Sequence, residues 1–303
     1  MRTLSLALAA LVGVTGAARA ADTIRHEMPL DIPAPSRVEQ VVRHIKEQTR
    51  DGKTESMWVE TRSLATIDID EKGEAYLVSL KLLDRKVSNP EIEPVLAATV
   101  PSELAYLADE SLRPIKLADP QGVKARQVAF ARKMAPQLGD VMEKMYANLS
   151  DEAFTGMLLK EQVYLSVGYN LGLKVGEASS YEGEEPSPFG GGGVKVRGTI
   201  TLDSYDDKGK LAVVTWKETI DPESAVALGG QLAKQLTGKD ISADLAKASD
   251  AAKAADLDIS KGCRFEINTG DGLIRKADCQ ETVSAGAEGG KTERWAITQT
   301  LQK

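Results

Sequence analysis

Apolar and polar residues alternate along most of this chain, and the period changes to that of a helix in two places. In Ser56–Asp70, Met57, Val59, Leu64, Ile67 and Ile69 populate a strand; in Glu74–Val87, Tyr76, Val78, Leu80 and Leu82 alternate strictly. Asp70-Glu71-Lys72-Gly73 is the turn between them. Leu104–Ala108 and Ile115–Ala118 read as a short hairpin bent at Asp109-Glu110-Ser111. Val194–Tyr205 and Lys210–Ile220 form another across Asp206-Asp207-Lys208-Gly209. A C-terminal meander follows: Gly262–Thr269, Leu273–Ser284 and Thr292–Leu301, joined by Gly270-Asp271-Gly272 and by an Ala285–Gly290 loop. Residues 37–49 carry two signals. Ser36 and Glu39 form a capping-box pattern with Val38, Val41, Val42 and Ile45 at helical spacing, whereas Asp51-Gly52 is a hairpin turn leading straight into a strand. The turn weighs more, and the segment reads as a strand.

The first helical stretch is Pro120–Leu149. Asp119 is a good N-cap, and Pro120 suits the first helical position, where a missing N–H costs nothing. Val123, Phe130, Met134, Leu138, Val141, Met145 and Leu149 recur on one face, and Pro136 predicts a break near Ala135. Ser150 caps a second piece, with Asp151 and Glu152 in its first turn and Phe154, Met157 and Leu158 continuing the apolar face. The second stretch opens at Asp221-Pro222, runs through Ala225, Leu228, Leu232 and Leu236, breaks at Thr237-Gly238 and resumes as an Ala-rich helix from Ile241 to about Ala255. Ala21–Pro35 is an extended lead-in whose prolines discourage regular structure. Gly168–Gly176 alternates at Leu171, Leu173 and Val175. Ser179–Gly193 reads as a loop that ends in four glycines without the lysine of a phosphate-binding loop, and so as a flexible connector.

Long antiparallel strands plus amphipathic helices give an α+β fold: a long curved antiparallel sheet of meander hairpins packed on amphipathic helices. The N-terminus changes the picture of where this fold works. Arg2, the apolar run Leu4–Val14 and Ala18-Arg19-Ala20 make a secretory signal peptide over residues 1–20, with cleavage near Ala20 and Ala21 as the first mature residue. No later stretch is long and apolar enough to span a bilayer. The expected domain plan is a single α+β domain over 21–303, or two intimately joined halves, 21–176 and 194–303, with the Gly-rich connector 179–193 between them. Export implies a periplasmic or secreted protein. Its net charge of −7 argues against nucleic acid as a partner and supplies no polybasic membrane patch.

The two cysteines, Cys263 and Cys279, both lie in the meander. If Gly270-Asp271-Gly272 is a three-residue loop, Thr269 faces Leu273, 267 faces 275, 265 faces 277 and Cys263 faces Cys279. Cβ atoms so placed are close enough to bridge, and an exported protein meets oxidising conditions. A disulfide closing this hairpin is the prediction.

Most catalytic constellations are missing. His26 and His44 are the only histidines, no G-x-S-x-G accompanies them, and His26-Glu27 lacks the second histidine of H-E-x-x-H. Asp68, Asp70 and Gly73 match the start of a calcium loop, but Lys72 and Ser79 stand where it needs ligands. No metal site and no cofactor are predicted. Trp58, Trp216 and Trp295 fall within predicted strands, where packing is the default. Four of the seven methionines, Met134, Met142, Met145 and Met157, sit on the central helices, where thioethers fill a core or line an adaptable apolar site. The ligand-binding candidates are therefore Met134, Leu138, Val141, Met142, Met145, Phe154 and Met157.

A sheet wrapped on helices over Val123–Leu158 resembles, in architecture, the half-barrel-plus-helices design of periplasmic lipid and lipoprotein carriers of the LolA and LppX type. The segment Asp109–Val123, a hairpin running into a helix, is also similar to exported bacterial domains of unassigned function. No motif is shared residue by residue, so the resemblance implies a fold and a ligand class but no functional residues. The leading expectation is a non-enzymatic binding or carrier protein for a lipid or other apolar ligand held between sheet and helices. An envelope protein-interaction or assembly module comes second. A hydrolase comes third, since its two carboxylates need not be close in sequence.

Overall fold

The computed structural model describes residues 24–50, 52–186, 193–228, 257–285 and 289–302. Eleven strands form one open antiparallel sheet. In chain order its first half is β2 (Ser36–Arg50), β3 (Lys53–Ile69), β4 (Tyr76–Val87), β5 (Glu103–Ala108) and β6 (Pro114–Leu117). Its second half is β8 (Ala178–Pro186), β9 (Gly193–Asp206), β10 (Leu211–Ile220), β11 (Leu257–Asn268), β12 (Ile274–Ala285) and β13 (Gly289–Gln302). The order across the sheet is β6-β5-β4-β3-β2-β13-β12-β11-β10-β9-β8, so the last strand in sequence sits beside β2 and joins the halves. A separate two-stranded sheet pairs β1 (Arg25–Met28) with β7 (Leu171–Lys174).

Four helices lie between the two halves of the sheet in sequence, and another precedes them, between β4 and β5. They are α1 (Glu93–Thr99), α2 (Pro120–Met134), α3 (Pro136–Ala147), α4 (Asp151–Leu158) and α5 (Lys160–Ser166). The break at Ala135 occurs as the Pro136 signal predicts: this residue is extended, at φ −158° and ψ 129°, and ends α2 while opening α3. The Arg132 guanidinium pairs with Asp140 and Glu143 and the Tyr146 hydroxyl donates to Gln127, so α2 and α3 fold back as an antiparallel hairpin. Ser150 caps α4 by accepting the Ala153 N–H at 3.1 Å. Among the described residues, no helix is long and apolar enough to cross a membrane.

The main core lies on the sheet face that carries the helices. Val38, Ala65, Ile67, Val78 and Tyr106 fill it at one end, and Leu202, Val214, Phe265, Ala277 and Ile297 at the other. Three contacts dock α5 and the turn after it: Gln162 to Gln40 at 3.0 Å, Tyr164 to Glu281 at 2.8 Å and Tyr169 to Gln299 at 2.7 Å. These are polar groups satisfied on arrival, which lets a mixed helix face sit on an apolar sheet.

Several expectations need correction. Residues 37–49 are indeed strand, but Ser179–Gly193 is not simply a loop, since β8 pairs with β9 from Ala178 to Pro186. It is an edge strand whose carboxylates at Glu182, Glu184 and Glu185 hide the apolar alternation; charge there discourages pairing with another chain. The lead-in contains β1, because a second strand, β7, supplies its partner. Helix α1 occupies a stretch where the sequence pattern predicts no element. The meander strands start or end up to five residues outside their predicted bounds. In β11–β12 the register shifts between Glu266 and Ile267, so Ile267 faces Ile274 and not residue 275. The helix at 222–228 follows its Asp221 cap, which accepts the Ser224 N–H at 2.9 Å. Leu232, Leu236 and the stretch Ile241–Ala255 lie outside the described residues, as do 187–192 of the connector and 286–288 of the last loop.

Candidate functional site

Each strand of the sheet has one side committed to the core, which leaves the other side free for a site. At the β2–β5 end, Arg37, Thr66, Ser79 and Ala105 form a single cross-strand row, with Leu64, Lys81 and Glu103 one step along. These positions alternate with Ala65, Ile67, Val78 and Tyr106, which are spent on the core. Together with Leu80, Pro101, Leu104, Leu117 and the first turns of α2 (Asp119, Gly122, Val123 and Arg126) they line an open groove of about 790 Å³. That is the size of a small-molecule site, and its wall is mainly aliphatic.

The charges around the groove are not equivalent. Lys81 pairs with Glu103 at 3.1 Å. The Asp119 carboxylate is occupied as the α2 cap, accepting the Gly122 N–H at 2.8 Å. Arg37 and Arg126 line the same groove, and among the described residues neither side chain has a carboxylate partner.

A second polar feature crosses the helix-bearing face. Lys46, Glu293, Glu281, Lys261, Glu218, Gly198 and Tyr181 stand in one register row over seven strands. The adjacent row is His44, Trp295, Cys279, Cys263, Trp216 and Ile200. Lys160 reaches from α5 to Glu281 at 2.5 Å and lies over the Trp295 ring at 5.0 Å. Lys261 bridges Glu185 at 2.7 Å and Glu218 at 2.8 Å. Tyr181 donates to Glu218 and accepts from the Trp216 indole at 2.8 Å.

Burial raises the Glu293 carboxyl pKa, but the Lys291 hydrogen bond and the charges of Lys46 and Lys160 outweigh it and hold the group at about 2. Burial likewise raises Glu281, and Lys160 pulls it below the usual range. His44, stacked on Trp295 at 4.5 Å, is lowered mainly by burial and so meets Glu293 as a neutral imidazole at neutral pH. Every charge in this row has a partner, so the row works as a clamp between sheet and α5. A cavity of about 440 Å³ lies over it, lined in part by Lys160, Tyr164, Lys261 and Glu281.

The structure spreads the sequence-predicted site residues over different environments. Phe154 alone is fully packed, against Tyr146 and the Lys124 ammonium. Met142 and Met145 are half-buried, while Met134, Leu138, Val141 and Met157 are exposed, Met134 at 67%. None of the seven lines either cavity described above. Methionine enrichment marked a helix hairpin that faces solvent on one side. The groove residues gave no such signal, because Leu64, Leu80 and Leu104 read as ordinary strand positions. Trp216 and Trp295 are buried as predicted, whereas Trp58 is half-buried under the Arg43 guanidinium at 4.6 Å.

The disulfide joins Cys263 to Cys279 on directly opposed residues of β11 and β12, the predicted pairing. Among the described residues, no three His, Cys, Asp or Glu side chains cluster closely enough to hold a metal ion.

An open eleven-stranded antiparallel sheet with helices packed on it and a groove at one end defines an α+β protein. Solved structures similar to the chain include lipovitellin, at TM-score 0.44 and 11% identity over 89% of this chain and 25% of that one. They also include a putative outer membrane lipoprotein-sorting protein domain from Vibrio parahaemolyticus, at TM-score 0.24 and 11% identity over 88% of this chain and 86% of that one. A DUF1329 family protein from Desulfovibrio piger matches at TM-score 0.16 and 10% identity over 87% and 85% of the two chains. The chain thus spans a quarter of the lipovitellin chain. No family model matches the sequence, and no curated protein is similar to it.

Proposed function

We propose that this protein is an exported, non-enzymatic binding or carrier protein for an apolar ligand, and that the ligand lies in the groove between β2–β5 and the start of α2. One observation carries the reading: an open groove of about 790 Å³ at the β2–β5 end, lined by Leu64, Pro101, Ala105 and Ala118 beside Leu80, Leu104, Leu117 and Val123 of the core. Apolar surface left open to water at this scale is unfavourable by roughly 25 cal/mol per Å², and an apolar guest removes that cost. The charge row supports the same reading from the other side: its ion pairs are mutually satisfied, so it is built to hold α5 in place and not to turn over a substrate.

The test fills the groove. Ala105 is half-buried in its lining. Wild-type protein is expected to bind the neutral apolar fluorophore 1-N-phenylnaphthylamine with enhanced emission, and Ala105→Trp is expected to abolish the enhancement at unchanged thermal stability. Equal enhancement in the variant contradicts the assignment.

A second reading, an envelope protein-interaction module, has one observation in its favour: Met134, Leu138 and Val141 are exposed around the α2–α3 turn. It predicts that Met134→Ser with Leu138→Ser prevents co-purification of a specific partner, while the carrier reading predicts unchanged fluorophore binding. Loss of fluorophore binding in this variant argues against the groove.

A further inference from the structure

We propose that the tip of the α2–α3 hairpin docks on an anionic lipid bilayer: Met134, Leu138 and Val141 enter the interface, and Lys133 and Lys144 meet the headgroups. This surface is separate from the groove, and the proposal does not rest on the carrier reading.

Helix α3 carries Leu138, Val141, Met142 and Met145 at positions i, i+3, i+4 and i+7, which is one face of a helix. Such a stripe is ordinarily spent on a core. Here Gly139 is the buried residue of α3, Met142 and Met145 are half-buried, and Leu138 and Val141 are 47% and 50% exposed. The contact of α3 with α2 uses other positions. Arg132 reaches Asp140 and Glu143, Tyr146 donates to Gln127, and Gly139 lies against the Arg132 stem, where a Cβ would come within 1.9 Å. The hairpin is therefore held closed without its apolar stripe. Met134, exposed at the end of α2, joins the stripe across the break at Ala135. Apolar side chains exposed together, and not singly, mark a surface that meets something.

Charge selects the occupant. The chain carries net charge −7, yet residues 120–149 hold five basic residues against two acidic ones, Asp140 and Glu143, an excess that the whole-chain value conceals. Both acids are engaged by Arg132, and Lys124 is buried against Asp151. Lys133 and Lys144 are exposed, and among the described residues neither has a carboxylate partner. Lys133 adjoins Met134, and Lys144 stands one turn beyond Val141. Ammonium groups on long apolar stems thus flank the exposed stripe, the pattern of a helix that lies in the interface of a negatively charged bilayer. A stable protein interface takes about 800 Å² from each partner, more than three side chains supply. A bilayer sets no such minimum, because each inserted side chain contributes by itself.

The experiment measures flotation of the exported chain with vesicles of phosphatidylcholine alone or mixed with phosphatidylglycerol. Each basic side chain close to an anionic surface is worth about fivefold in affinity. Wild-type protein is therefore expected to prefer the phosphatidylglycerol vesicles by roughly twentyfold, and Lys133→Gln with Lys144→Gln to remove that preference. Lys133→Arg with Lys144→Arg is expected to retain it. Met134→Ser with Leu138→Ser is expected to weaken binding to both vesicles by about tenfold. All four positions are exposed, so these variants are expected to melt as wild type does. Equal binding of wild-type protein to both vesicles overturns the proposal, as does full binding by the serine variant, which would be charge attraction without insertion. Absence of flotation with either vesicle also overturns it and leaves the exposed side chains to a protein partner. Fluorophore binding in the groove is expected to be unchanged in every variant, so failure here is distinguishable from failure of the carrier reading.

Discussion

At the scale of single residues, the molecule separates two uses of charge. Among the described residues Arg37 and Arg126 have no carboxylate partner, while Glu293 meets Lys46, Glu281 meets Lys160 of α5, and Glu218 meets Lys261. The second set has a consequence for pH. Glu293 is 9% exposed and is held at about 2 in the fold, below its ordinary 4.5. A carboxylate whose folded pKa is depressed stabilises the fold fully above its unfolded value, and that contribution is lost as pH falls through the folded value. Thermal stability is therefore expected to decline between pH 4.5 and about 2, and Glu293→Gln is expected to flatten that decline while lowering stability at neutral pH. An unchanged slope in the variant contradicts the assignment. None of this was legible in the sequence: Glu293 and Lys46 lie far apart in the chain, and only the β13–β2 register brings them together.

At the scale of elements, local chemistry was the reliable guide. Asp119, Ser150 and Asp221 cap helices as their residue types require, and Pro136 divides α2 from α3. The Cys263–Cys279 bridge follows from a turn and a strand period of two. Its flanking register differs from a simple count because of the shift at Ile267, which lies on the turn side of the bridge and leaves the cysteines opposed. The bridge closes a loop with a sequence separation of 16. Chain-entropy reasoning gives about 3 kcal/mol for such a loop. Reduction, or Cys263→Ala with Cys279→Ala, is then expected to lower the melting temperature by roughly 6–12 °C for a chain of this size, with the far-ultraviolet spectrum retained. A change within the error of the melting temperature contradicts the estimate. Edge elements were the least legible. Strand β8 carries more carboxylates than apolar residues, and β1 depends on β7, over a hundred residues away; neither announces itself in its own pattern.

At the scale of the whole molecule, the sheet order decides where a ligand goes. Pairing β13 with β2 makes one sheet from both halves of the chain, and the helices between them in sequence are drawn onto a single face. The α+β class and the meander hairpins were readable because each strand carries its own period and turn. The groove was not, since it arises where β2–β5 meets the first turns of α2, and no single segment contains it. Methionine enrichment pointed instead to the α2–α3 hairpin, which packs through Arg132, Gln127 and Tyr146 and leaves Met134 in solvent. The central claim is that this groove holds an apolar ligand in the cell. Native mass spectrometry of wild-type and Ala105→Trp protein, purified from the cells that make it and followed by organic extraction, tests that most directly. The account predicts one apolar ligand per wild-type chain, recovered in the extract and missing from the variant; an apo mass for both proteins, with nothing in the extract, contradicts it.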